Sequence, residues 1–92
     1  MISLVHPYIT MDDETEVVFS DISLKDGRES LTVFFERPVL EGFVSAECSL
    51  PSYKWTVKGL TAKEIARLQE FVERNERSFF KFARQGGVGG DA

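Results

Sequence analysis

Ninety-two residues, 42 % of them hydrophobic and eight of them phenylalanine, suit one small folded domain and exclude both a two-domain protein and a disordered chain. The net charge of −4 is uneven: residues 1–50 hold ten acids against three bases, and the rest holds eight bases against five acids. An acidic body of this kind disfavours tight non-specific binding to nucleic acid and leaves room for a partner with a basic surface.

Apolar residues alternate with period two up to about Gly59 and recur at three and four after it, which marks a change from strands to a helix. The segment "LVHPYITM" reads as a first strand, ended by the acidic turn "DDE". "TEVVFSDI" follows as a strand with Val17 and Phe19 on one face. Asp26-Gly27 in "LKDGRE" is a hairpin signal, because a type I′ turn needs positive φ at both central residues. "ESLTVFFERP" is the return strand, with Leu31, Val33 and Phe35 on one face and Thr32, Phe34 and Glu36 on the other. Pro38 cannot donate to a ladder and ends this strand or places it at an edge. "FVSAECSL" turns Val44, Ala46, Cys48 and Leu50 one way. After Pro51, "YKWTV" resumes the alternation with Tyr53, Trp55 and Val57.

The second regime predicts one helix over about 61–85. Thr61 is a good N-cap, Glu64 completes a capping box, and Leu60 and Ile65 stand at staple positions. Ile65, Leu68, Val72, Phe79 and Phe82 follow one face, with Asn75 in the remaining slot. Asn75 is expected either to run past the sheet into water or to fix the register of a helix-to-helix dimer. Arg84 in the last turn and Gly86 beyond it suit a helix C-terminus.

The glycines of "GGVGG" follow this helix and lack the Lys-Ser or Lys-Thr of a phosphate loop, so 87–92 is expected to be a flexible tail. The expected architecture is therefore α+β: an antiparallel meander of three to five strands with one long C-terminal helix packed on one face, all within residues 1–86.

Few residues offer chemistry. His6, Cys48 and an acid would make a nucleophile–base–orienter set, but Cys48 on an apolar strand face reads as a small hydrophobe. Asp12, Asp13 and Glu14 lack the spacing of a calcium loop, and one Cys with one His cannot fill a zinc site. No catalytic residue, metal or cofactor is expected. The single cysteine cannot form an intrachain disulfide, which fits a reducing compartment, and the chain shows no long apolar run. A cytoplasmic, non-enzymatic protein away from the membrane is the expectation.

The stretches "HPYITMDDETEVVFSD", "VFFERP", "LPSYKW" and "FARQGG" resemble short uncharacterised bacterial proteins often found on mobile elements. The resemblance implies a small bacterial accessory protein and assigns no role to any position.

These readings point to an acidic interaction module of the antitoxin, immunity or inhibitor-like kind. A helix of about 25 residues spans roughly 37 Å and a strand of seven or eight only about 25 Å. Phe79, Phe80 and Phe82 are then expected on an overhang, as contacts for a protein partner or a second copy, unless "ISLVHPYI" covers them within the chain. The alternative is weak nucleic-acid binding through Arg77, Lys81 and Arg84, where cations dominate the helix end.

Overall fold

The structure, a computed structural model, describes residues 5–87. Six strands precede one helix: β1 (Val5–Thr10), β2 (Glu16–Ser20), β3 (Ser23–Lys25), β4 (Arg28–Val39), β5 (Gly42–Leu50), β6 (Lys54–Lys58) and α1 (Ala62–Gln85). They form an antiparallel meander in the order β1-β2-β4-β5-β6, with β3 beside β4 where β2 has stopped. Between the pairs Phe19–Val33 and Ser23–Ser30 one chain advances four residues and the other three. The extra residue is a bulge that splits one long strand into β2 and β3. The β3–β4 turn has Asp26 at φ 53° and Gly27 at φ 76°, the two positive values that an Asp-Gly hairpin turn requires.

The alternation in sequence sorts the sheet into two faces. Val17, Phe19, Leu31, Val33, Phe35, Ala46, Cys48 and Leu50 point to one side and are all buried. The helix closes this side with Leu68, Val72, Phe79 and Ala83. Ile65, expected in that stripe, is only half-buried, because the first helical turn lies at the margin of the sheet. Pro38 does not end β4. It pairs with Phe43 beyond the point where β2 stops at Glu36, so no neighbour there needs its missing amide.

Helix α1 begins and ends on its own signals. The Thr61 side chain accepts from the Glu64 amide, and Glu64 reaches back to the Thr61 amide. At the other end Gly86 adopts φ 86°, its amide bonds to Ala83 and that of Gly87 to Phe82, a paired closure that satisfies two orphan carbonyls. The ends are also tied to β4: Glu64 pairs with Arg37 at 2.7 Å, and Arg84 pairs with Glu29. The helix therefore runs antiparallel to β4 along most of that strand's length.

That geometry corrects the expected overhang. β4 has twelve residues, not seven or eight, and at roughly 3.3 Å each it is as long as the helix. Phe79 is 0 % exposed, in the middle of the core. The N-terminal strand completes the cover. A bulge between Pro7 and Ile9 sets Tyr8 apart in β1, and its ring packs at 4.5 Å centroid distance from Phe79 and 6.2 Å from Phe82. Residues 88–92 of the expected tail lie outside the described residues. Gly87, where the expected tail begins, is described and buried, and a side-chain carbon there would stand 3.3 Å from His6 Nδ1.

Candidate interaction surfaces

Besides the two ion pairs to β4, three polar contacts tie the helix to the sheet and its β5–β6 turn, and each joins an aromatic donor to a helix side chain. The Tyr8 hydroxyl donates to Asn75 Oδ1 at 2.6 Å, Tyr53 to Glu76 at 2.6 Å, and the Trp55 indole to Gln69 at 2.7 Å. Asn75 also donates to the Phe71 carbonyl. It is neither in water nor at a helix-to-helix seam: it is a half-buried acceptor for a ring from β1.

His6 and Cys48, the two residues that a nucleophile–base set would need, are not brought together. His6 pairs with Asp21, at one edge of the sheet. Cys48 lies three strands away through Phe19 and Val33, on the order of 14 Å. Burial, with the Glu76 charge as the lesser cause, pushes the Cys48 thiol up to about 11, the opposite of a reactive thiolate. Burial and then the bond to Glu76 raise the Tyr53 hydroxyl in the same direction. Among the described residues no group of three or more His, Cys, Asp and Glu is placed to hold a metal ion. In the acidic turn, Asp13 is engaged by Thr15 and Arg37, which hold its carboxyl below the ordinary range.

The basic end of the helix is less basic than its sequence suggests. Arg84 is spent on Glu29, which leaves Arg77 and Lys81 in a shallow hollow shared with Glu73 and Glu76. Phe80 and Phe82 are half-buried; Arg84 lies 5.9 Å over the Phe80 ring and Lys81 6.0 Å over Phe82. Of the three phenylalanines expected to meet a partner, none stands bare.

The sheet's other face is different, because no described element covers it. Strand register maps it in three rows. The first holds Glu16, Glu36, Ser45 and Lys58 from β2 to β6; the second Pro7, Val18, Phe34, Glu47 and Thr56 from β1; the third Val5, Ser20, Thr32, Ser49 and Lys54. Half-buried Phe34 lies in a depression of about 290 Å3 with Val18, Glu16, Glu36 and Glu47 around it. Glu16 and Glu36 are directly opposite each other, an arrangement that costs stability. None of the three carboxylates forms an ion pair among the described residues. Lys54 and Lys58 keep to the edge strand. Sequence alternation had placed Phe34 and Glu36 on one face; the grouping with Glu16 and Glu47 needed the register.

A second depression lies at the end of the sheet, between the β1–β2 turn and the start of α1. It encloses about 150 Å3 among Met11, Phe35, Val44, Leu60 and Leu68, with Arg37 and Arg67 at its polar margin. Arg37 bridges Asp13 at 3.3 Å and Glu64 at 2.7 Å, while Arg67 is exposed and forms no ion pair among the described residues. The Thr61 amide and then Arg37 hold the Glu64 carboxyl below the ordinary range.

No known protein family, no curated protein and no solved structure matches this chain. Among the described residues no helix is long and apolar enough to cross a membrane.

Proposed function

We infer that this is a non-enzymatic interaction module that receives a cationic segment of a protein partner on the open face of its sheet. The observation that carries the reading is Phe34, half-buried on that uncovered face and ringed by Glu16, Glu36 and Glu47, none of which forms an ion pair among the described residues. An arginine or lysine laid over the Phe34 ring gains from the ring's negative face and relieves the repulsion between Glu16 and Glu36. Lys54 and Lys58, two strands away, set a direction: the partner's positive end lies over β4 and an acidic end over β6. An acidic antitoxin, immunity or inhibitor-like protein belongs to this class of module. The nucleic-acid reading has less support, since Arg84 is occupied and Glu73 and Glu76 flank Arg77 and Lys81.

The test is an amide NMR titration of the labelled protein with a short arginine-rich peptide and, separately, a short DNA duplex. Saturable shifts at Phe34, Glu36 and Glu47 with the peptide are expected, and Glu36→Gln/Glu47→Gln abolishes them. Shifts with DNA centred on Arg77 and Lys81, with none on the open face in either titration, would establish the alternative.

A further inference from the structure

The hairpin joining β4 and β5 projects beyond the sheet. β2 stops pairing at Glu36 and β6 at Ser45, so in the sheet ladder residues 37–44 pair only with one another. The projection is apolar where a hairpin end is usually polar. Val39 is 40 % exposed, Phe43 61 % and Leu40 106 %, so Leu40 touches nothing in its own chain. Glu41 beside it is exposed as well. Three bare apolar side chains on one turn are a surface that singly scattered residues do not make.

The base of the same hairpin forms one wall of the 150 Å3 depression, through Val44 and Arg37. Its apolar lining is Met11, Phe35, Val44, Leu60 and Leu68, and its volume suits one compact group of about benzene size. A knob and a hole of matching character thus stand at one end of the molecule. Leu40 lies three residues from Arg37 and four from Val44, a reach of about 10–13 Å at roughly 3.3 Å per residue. The knob cannot fill its own hole, because the ladder between β4 and β5 holds it straight out.

We propose that this end is a two-fold self-association surface in which Leu40 of each chain fills the sheet-end depression of the other. A two-fold interface uses one patch twice, so knob and hole must both lie on that patch, as they do here. Two hairpins lying antiparallel, side by side, bring each Leu40 to the opposite depression. The lining also carries charge: Asp13 and Glu64 are taken by Arg37, Glu36 is unpaired among the described residues, and Arg67 at the rim is a cation with no ion pair among them. Glu41 travels with Leu40 and is the carboxylate that Arg67 would meet. The second copy therefore completes a pocket that one chain leaves open and pairs a cation that one chain leaves bare. This surface adjoins the open face, since Glu36 lines both depressions and Phe43 shares the face of Phe34, but Leu40, Glu41 and Arg67 lie outside the Phe34 depression, so variants at those three positions test the two proposals independently.

The experiment is sedimentation velocity on the full chain across a concentration series, with thermal denaturation of each variant beside it. The parent is expected to self-associate reversibly to a dimer. Leu40→Asp is expected to be monomeric with an unchanged denaturation midpoint, since Leu40 has no contacts to lose on unfolding. Glu41→Arg and Arg67→Glu should each raise the dimer dissociation constant at least about tenfold, because each reversal acts at both copies of the contact. The double reversal Glu41→Arg/Arg67→Glu should return it to within about threefold of the parent. A parent that stays monomeric at the highest soluble concentration overturns the proposal. So does a folded Leu40→Asp that dimerises like the parent, or a double reversal no better than the single ones.

Discussion

Asn75 shows how one side chain takes its meaning from a residue far away in sequence. In its own helix it interrupts an apolar stripe, and only Tyr8, sixty-seven positions earlier, turns it into a satisfied acceptor. Cys48 gains its character in the same way, from the strands on either side and the helix above. Its thiol is pushed up to about 11 from an ordinary 9.0, and Tyr53 is also raised. Below pH 9 the thiol is protonated in both states and contributes nothing to the pH dependence. From pH 9 to about 11 the unfolded chain releases this proton and the folded chain keeps it, so stability falls as pH rises. Tyr53 extends the loss to higher pH. Urea midpoints measured from pH 8 to 11 should therefore decline, and Cys48→Ala should show a shallower decline between pH 9 and 11. Equal slopes in the two proteins would mean that Cys48 is not the group being titrated.

At the scale of elements, α1 is specified twice over. Its local signals are complete: capping box at Thr61–Glu64, closure at Gly86–Gly87, and an i,i+4 pair between Glu70 and Arg74 at 3.4 Å. Its tertiary ties are then laid over the same residues, for Glu64 serves the cap with one oxygen and Arg37 with the other. Thr61→Ala removes the acceptor for the Glu64 amide and should cost about 0.5–2 kcal/mol. It also frees Glu64 to leave the cap, so the loss is expected toward the upper part of that range. Equilibrium urea denaturation measures it; an unchanged midpoint would show that the Arg37 bridge alone holds the helix start.

For the whole molecule, the organising fact is that β4 and α1 have nearly the same length and lie antiparallel, pinned at both ends by Arg37–Glu64 and Glu29–Arg84. Between the pins Phe79 meets Phe19 at 5.6 Å, Phe71 at 6.3 Å and Tyr8 at 4.5 Å. Phe79→Ala opens a cavity among those rings and should cost about 3–5 kcal/mol. In a domain of this size that approaches the whole of the stability. Phe80→Ala, on a half-buried ring, should cost distinctly less. Denaturation midpoints of the two variants compared with the parent decide the point. Similar losses would place Phe80 in the core, and a mild Phe79→Ala would restore the idea of an overhang.

The alternation of Leu31, Val33 and Phe35, the Asp26-Gly27 turn, the capping box and the terminal glycine were enough to read an antiparallel sheet followed by one helix. Each of these signals is local: a side-chain period, a permitted φ or a hydrogen bond spans only a few residues. The candidate surfaces are not local. Glu16, Phe34 and Glu47 come together only through strand register, and Leu40 becomes a bare knob only because β2 and β6 end before β4 and β5 do. The length of β4 decided whether Phe79 was surface or core. A sequence can carry Pro38 without revealing that the strand continues past it, since a proline ends a ladder only where a neighbour needs its amide. Period and capping chemistry thus determined which elements exist. The lengths over which those elements overlap, which pairing alone sets, decided which of their side chains remained available to another molecule.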